Sequence, residues 1–190
     1  WDPDRQTCEL VKQRYPKIGI SESAEDLVRD REVEVVYIAS PPASHHAYAL
    51  LAAAAGKAIY CEKPLGVDIS SSSEMVDAVE SAGLLNVVNF PFADSQPINF
   101  IETKLADGVV GEVRGVDLRL HFSSWPRDWQ DTARWLTLRE QGGFIREVVS
   151  HYVYLVESLF GPATVVDAHV NFPEDPSLCE THFFASLESG

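Results

Sequence analysis

Basic residues are scarce in this chain of 190 residues. Only 15 Lys and Arg stand against 29 Asp and Glu, which makes the formal net charge −14 at pH 7. Nucleic acids and anionic membrane surfaces attract proteins through clustered positive charge. We therefore expect neither of them as a main partner, although a local basic pocket remains compatible with this total.

Cysteine is equally rare. Cys8, Cys61 and Cys179 form an odd and widely spaced set, which indicates neither a disulfide framework nor a zinc site. We expect no metal site and a reducing, cytoplasmic setting. No apolar run approaches membrane-spanning length and no signal peptide is visible. Because the chain begins at Trp1 rather than Met, we expect that residues precede it. A leader peptide that has been removed is compatible with this start.

Three glycine-based motifs are also missing from the chain. It contains no Gly-x-Gly-x-x-Gly turn, no phosphate loop and no Gly-x-Ser-x-Gly elbow, so none of the sites that these motifs build is predicted within it.

Short apolar runs alternate with helical patterns in the first half of the chain. Strands are predicted over residues 33–39, 58–62 and 84–90, and helices over 44–55 and 70–82. Glycines follow both helices (Gly56 and Gly83), and the serine run Ser70 to Ser73 offers N-caps. This rhythm is typical of a parallel sheet with right-handed crossovers. The valine-rich first run predicts a strand buried on both faces.

The rhythm changes near residue 93, so we predict two domains, over 1–93 and 94–190. Helices are predicted over 98–106 and 144–160. Alternating apolar and polar residues over 113–122, 165–172 and 181–187 predict half-exposed strands. The predicted fold class is α/β: a partial Rossmann-type parallel sheet followed by an α+β domain with a mostly antiparallel open sheet.

Lys63 follows the second predicted strand within Glu62-Lys63-Pro64. Ligands of open α/β sheets bind beyond the carboxyl ends of the parallel strands, so Lys63 is a candidate for chemistry. The alternative is a solvated turn. Ser40 and Pro41 end the neighbouring strand and could pack against a nucleotide or form an ordinary loop.

Glu147 and His151 are four residues apart, on one face of the helix predicted after Gly142-Gly143. An acid one turn before a histidine can orient the ring for general base catalysis. Their neighbours are apolar, which predicts burial. A structural acid–histidine pair is the alternative, and the residues alone leave both open.

Other candidates carry weaker signals. His45 and His46 point apart, so they do not chelate a metal together, but one of them could line a cleft. Asp2 could bind a ribose if Trp1 ended a strand, and is otherwise a turn residue. Three tryptophans of one loop could form a substrate wall or fill the core: Trp125, Trp129 and Trp135.

These segments together resemble the Gfo/Idh/MocA family, the glucose–fructose oxidoreductase and inositol dehydrogenase group of NAD(P)-dependent oxidoreductases. Four segments carry the resemblance, in the family's order: residues 35–41 (VVYIASP), His45 with Ala-Gly-Lys at 55–57, Glu62-Lys63-Pro64, and Gly142-Gly143 with Glu147 and His151. The set is specific and runs over nearly the whole chain.

The resemblance implies roles for the candidates. Lys63 would contact both nicotinamide and substrate oxygen, His151 would relay the hydroxyl proton, and Glu147 would assist it. The positions implied to line the cofactor are Asp2, Ser40, Pro41, His45, Glu62 and Lys63. Lys63, Trp135 and His151 would contact the substrate. The acid at Asp2 slightly favours NAD over NADP, Arg5 leaves both open, and a cis peptide is implied before Pro64.

Several departures accompany the resemblance. The family's glycine-rich turn would lie before Asp2, and the chain is shorter than family members, so we interpret it as a fragment of a longer enzyme. Glu147 stands where the family usually has Asp, Tyr154 stands where an acid is common, and residues 91–94 lack a frequent arginine.

The predicted function is hydride transfer between nicotinamide and a secondary alcohol or ketone of a sugar, cyclitol or related polyol. Two alternatives stay open: a non-catalytic dinucleotide-binding regulator on the same scaffold, and a dehydrogenase of an aromatic or cyclic diene diol. By analogy with the family, we expect a homo-oligomer formed through the second-domain sheet.

Overall fold

The computed structural model describes residues 1–92 and 94–189. The chain divides into two compact units, Trp1–Asn89 and the part from Phe90 onward. Each unit has its own sheet. No helix in these described ranges combines the length and apolar character needed to cross a membrane.

The first unit contains a parallel sheet of three strands in the order β1-β2-β3. The strands are β1 (Val35–Ile38), β2 (Ala58–Glu62) and β3 (Asn86–Asn89), and the helices are α1 (Arg5–Arg14), α2 (Ala24–Arg29), α3 (His45–Ala54) and α4 (Ile69–Ser81). Ile38 pairs with Cys61, and Glu62 pairs with Asn89. The predicted strand–helix alternation and the parallel sheet are confirmed.

Capping residues set the bounds of these helices. The Ser23 side chain accepts a hydrogen bond from the Asp26 amide at the start of α2. Gly56, after α3, has a φ of +71°, which a residue with a side chain rarely adopts. At α4 the prediction of a serine cap is wrong, because Asp68 accepts from the Ser71 amide. The serine run therefore lies inside the first turns of the helix.

The core of the first unit lies on one face of the sheet. It joins residues of three helices and two strands: Val28 of α2, Val36 and Ile38 of β1, Ala49 and Ala52 of α3, Ile59 and Cys61 of β2, and Met75 and Val79 of α4. Val35 and Tyr37, which alternate with the buried residues of β1, are more than half exposed. The prediction of burial on both faces is therefore wrong for β1, because the helices of the core cover only one side of it.

The second unit is of α+β type. It contains α5 (Gln96–Ala106), 3-10 turns at Asp128–Gln130 and Arg134–Thr137, a π-helical turn at Ile145–Val149, α6 (Ser150–Phe160), β4 (Ala163–Asn171) and β5 (His182–Ser189). The strands pair antiparallel, with an irregularity between Val165 and Asp167. The α+β character and the antiparallel pair of strands are as predicted.

Two predictions for the second unit need correction. Residues 113–122 form no strand, because alternation defines two faces but cannot supply the neighbouring strand that a ladder requires. The predicted helix over 144–160 begins with a π turn and becomes α-helical at Ser150. Such turns are often found at functional sites, and this one contains Glu147.

Candidate active site

The carboxyl ends of the three parallel strands bring candidate residues to one edge of the first unit. Ser40 and Pro41 follow β1, Glu62 ends β2 immediately before Lys63, and Asn89 ends β3. Because parallel strands finish at the same edge of a sheet, this edge is the expected ligand-binding side.

Glu62 is held in place by both neighbouring strands. The Tyr37 hydroxyl of β1 donates to Glu62 Oε1, and Asn89 Nδ2 of β3 donates to the same oxygen over 2.8 Å. The hydrogen bond to Glu62, with smaller contributions from burial and charge, raises the pKa of Tyr37 to about 12. The hydroxyl therefore stays protonated at neutral pH and keeps the carboxylate oriented.

Lys63 lies directly beyond this carboxylate. Lys63 is partly exposed. The Lys63–Pro64 peptide is cis, which confirms the geometry that the family resemblance implies. Its contact with nicotinamide or substrate stays a prediction.

His45 is fully enclosed at the start of α3. Its Nε2 lies 2.8 Å from the Ser40 carbonyl oxygen and its Nδ1 lies 3.0 Å from that of Pro64. Both ring nitrogens thus face backbone oxygens, one in the loop after β1 and one in the loop after β2. The enclosed ring links these two loops, and a contact of His45 with the cofactor stays a prediction.

Asp2 and Pro41 differ in setting. Asp2 lies outside any strand, and its Oδ1 accepts from the Asp4 amide over 2.8 Å in a local turn. A ribose-binding role for Asp2 stays a prediction. Pro41 is exposed and directly precedes the 3-10 turn Pro42–Ser44, and its carbonyl accepts from the Ser44 amide.

His151 lies in an aromatic environment in the second unit. The residue is 7% exposed, and the centroid of its ring is 4.5 Å from that of Phe92 and 5.6 Å from that of Phe90. Phe90 also stacks on Tyr154 with centroids 4.3 Å apart. The predicted burial of His151 is confirmed, and Phe90 and Phe92 are neighbours that the sequence pattern did not indicate.

Glu147 contacts a polar group that sequence reasoning missed. Its Oε1 accepts from Gln130 Nε2 over 3.2 Å and lies 3.6 Å from Arg127 Nη2. Arg127 Nε donates to Gln130 Oε1, and the guanidinium carbon lies 4.6 Å from the centroid of the Trp129 ring. This network ties the start of the His151 helix to the tryptophan-rich loop. Orientation of His151 by Glu147 stays a prediction.

The Gly142-Gly143 turn has a direct packing explanation. A Cβ at Gly142 would overlap the backbone of Trp135 and Leu136. Gly143 has a φ of +94°, and a Cβ there would collide with the carboxylate of Glu180. Glu180 is buried, and its Oε1 accepts from the Ile145 amide over 2.7 Å. It therefore binds an amide that the first turn of the helical stretch leaves without a helical partner.

Glu180 was not predicted from the sequence, because nothing near it marks a link to residues 35 positions earlier.

The tryptophans of the loop have separate roles. Trp125 Nε1 donates to the Leu136 carbonyl over 3.1 Å, which is a structural contact. Trp129 is 73% exposed and lies under Arg127. Trp135 is partly exposed, and its carbonyl packs near Gly142. A contact between Trp135 and substrate stays a prediction.

The fold and the arrangement at the strand ends are those of a nucleotide-binding oxidoreductase domain, and comparison with known families agrees. Residues 1–90 match an oxidoreductase family with an NAD-binding Rossmann fold, and residues 100–190 match the C-terminal domain of the same family. The chain belongs to the GFO/IDH/MocA oxidoreductase family.

Relatives in this family include named dehydrogenases. Trans-1,2-dihydrobenzene-1,2-diol dehydrogenase of Oryctolagus cuniculus is 32% identical over 139 residues, 73% of this chain and 41% of its own length. Levoglucosan dehydrogenase of Pseudarthrobacter phenanthrenivorans is 27% identical over 178 residues, 88% of this chain and 45% of its own length. The chain thus spans less than half the length of these two relatives.

A solved structure has the same fold. The WlbA dehydrogenase from Bordetella pertussis, in complex with NADH and UDP-GlcNAcA, superposes with a TM-score of 0.86 at 23% identity. The match covers 99% of this chain and 54% of that one.

Proposed function

We propose that this chain is part of an NAD(P)-dependent oxidoreductase acting on a secondary alcohol or ketone of a sugar, cyclitol or related polyol. The observation that carries the proposal is the pairing of two features in one member of this family. The first unit has Glu62 and Lys63 at the expected strand end, and the second has a buried His151 beyond the Gly142-Gly143 turn.

The residues at the strand ends fit the nicotinamide half of the cofactor. Ser40, Pro41, Glu62 and Lys63 would hold it, because they combine a hydroxyl, a carboxylate and an ammonium at the ligand-binding edge of the sheet. The Glu62 carboxylate is pre-oriented by Tyr37 and Asn89. When bound, the nicotinamide supplies or accepts the hydride. NAD is slightly favoured over NADP through the acid at Asp2, on resemblance alone.

The chain's own residues would then handle the substrate proton and charge. In the oxidative direction His151 takes the hydroxyl proton on a ring nitrogen, and the Lys63 ammonium stabilises the alkoxide that develops. Glu147 would hold the helix that carries His151 in position through its contacts with Gln130 and Arg127. Trp135 would contribute to the substrate wall.

We also propose that the first and second units form the dinucleotide-binding domain and the substrate and oligomerisation domain, respectively. The sheet of the second unit supports association of identical subunits, because Val165, Val166 and Phe184 expose apolar side chains on it. A second copy of the enzyme is the partner that we propose. Size measurement in solution tests it, and a monomer would contradict it.

A cyclic diene diol is the second candidate substrate. The aromatic rings of Phe90 and Phe92 beside His151 favour a flat apolar ring. Relatives named trans-1,2-dihydrobenzene-1,2-diol dehydrogenase support the same choice. A panel of polyols and cyclic diols, followed by the absorbance of reduced nicotinamide, separates the two substrate classes.

Substitution of Lys63 tests the enzyme against the non-catalytic regulator. In the complete protein, Lys63→Ala is expected to lower kcat by about 100-fold or more, because it removes the charge that stabilises the alkoxide. Lys12→Ala, an exposed lysine of α1 in the same unit, is the matched control and should keep the wild-type rate. Wild-type turnover in Lys63→Ala would contradict the catalytic role. Binding of nicotinamide without turnover on the whole panel would favour the regulator.

A further inference from the structure

His45 joins two loops that follow neighbouring strands. The Ser40 loop follows β1, the Pro64 loop follows β2, and the ring lies between their carbonyl oxygens at 2.8 and 3.0 Å. The side chain is fully buried, so each ring nitrogen faces one of these two carbonyl oxygens and neither faces solvent.

The two loops do not depend on His45 equally. The Ser40 loop is also held by Ser44, which directly precedes α3. Ser44 Oγ lies 2.6 Å from Ser40 Oγ and donates to the Pro41 carbonyl over 2.8 Å. The Ser44 amide donates to the same Pro41 carbonyl over 3.0 Å. The hydrogen bond to Pro64 is the one that reaches the loop carrying Lys63.

A carbonyl oxygen only accepts hydrogen bonds, whereas a neutral imidazole donates through one nitrogen and an imidazolium through both. The position of the ring proton therefore decides whether the Pro64 loop is held. With a proton on Nδ1, the ring donates a hydrogen bond to the Pro64 carbonyl and holds the loop. In a neutral ring protonated only on Nε2, the Nδ1 lone pair faces that carbonyl oxygen and no hydrogen bond forms.

We propose that His45 is a positioning residue whose Nδ1–H donates to the Pro64 carbonyl and thereby fixes the loop that presents Lys63. The expected effect on turnover rests on the proposed function. The expected protonation of Nδ1 does not depend on that function. His45 itself contacts no substrate in this proposal, and it acts through the placement of Lys63.

Two variants separate this role from general stability. The amide nitrogen of Asn can take the position of Nδ1, and that of Gln can take the position of Nε2. His45→Asn can thus donate to the Pro64 carbonyl, whereas His45→Gln can donate to the Ser40 carbonyl. Each variant can form one hydrogen bond to one of the two carbonyl oxygens, so their melting temperatures in the complete protein should be similar. We expect kcat of His45→Gln to be about 10-fold below that of His45→Asn, because misplacement of a catalytic group is costly.

The same pair of variants in a Lys63→Ala background gives the decisive comparison. If His45 acts through Lys63, the difference in kcat between Asn and Gln disappears there. A difference that persists, or equal kcat values in the wild-type background, would overturn the proposal. His46→Gln is the control, because this neighbour pairs with Glu74 on the surface and should leave kcat unchanged.

A second readout needs no turnover. In the complete protein labelled with ¹⁵N-histidine, long-range proton–nitrogen correlation spectra distinguish protonated from unprotonated ring nitrogens. We expect a protonated, slowly exchanging Nδ1 for His45, and an unprotonated Nδ1 would overturn the proposal. If no substrate of the panel is turned over, the proposed function fails while this spectrum still decides the role of His45.

Discussion

Replacement of Glu180 by Ala would test how the helix that carries His151 is anchored. Glu180 is 8% exposed, and its carboxylate accepts from the Ile145 amide over 2.7 Å. It also fills the space against Gly143, where no side chain fits. The substitution removes the acceptor and leaves the Ile145 amide without this partner.

The expected loss follows from the type of bond. A hydrogen bond to a charged group contributes about 1.5–3 kcal/mol. A carboxylate near a helix N-terminus gains about 0.3–1 kcal/mol from the helix dipole, and up to about 2 kcal/mol when partly buried. The two figures describe overlapping interactions, so we expect the free energy of unfolding to fall by about 2–3 kcal/mol. Glu180→Gln keeps an oxygen acceptor and should lose about 1 kcal/mol.

Urea unfolding of the complete protein, followed by tryptophan fluorescence, measures both variants. Three of the four tryptophans of this chain lie in the second unit, at positions 125, 129 and 135, so their fluorescence reports on the unit that contains Glu180. A free energy of unfolding within about 0.5 kcal/mol of wild type for Glu180→Ala, the range of ordinary surface substitutions, would refute the anchoring role. Equal losses for Ala and Gln would show that the oxygen acceptor is unimportant.

Two further predictions concern titration. Glu62→Gln should lower the pKa of Tyr37 from about 12 toward its ordinary value of 10, because the charged acceptor is lost, and a tyrosinate absorbance titration that finds no change would contradict this. Since the folded pKa of Tyr37 is the higher one, its contribution to stability is present below pH 10 and is lost as the pH rises toward 12. His151→Asn should remove the limb of the kcat/KM profile that falls at low pH in the oxidative direction, because a protonated base cannot accept the hydroxyl proton. An unchanged pH profile would rule out His151 as the base.

Most of the fold could be predicted from local patterns. The apolar runs that became β1, β2 and β3 are short and end at polar residues, and Gly56 and Gly83 both adopt the positive φ that ends a helix. The candidate residues Glu62, Lys63 and Glu147 were found because their motifs are contiguous or one helical turn apart.

The remaining features depend on contacts between distant residues. Tyr37 and Glu62 are 25 positions apart, and Glu180 and Ile145 are 35 apart. Periodicity cannot indicate which polar residue will reach them. The ring of His45 is enclosed between the carbonyl oxygens of Ser40 and Pro64, and the second of these lies 19 positions away.

The most direct test of the account is a crystal structure of the complete enzyme with nicotinamide cofactor and a polyol that it oxidises. The account predicts that Lys63 Nζ and a ring nitrogen of His151 both lie within hydrogen-bonding distance of the same substrate oxygen. A substrate oxygen bound by neither side chain, or the two side chains in separate cavities, would contradict it.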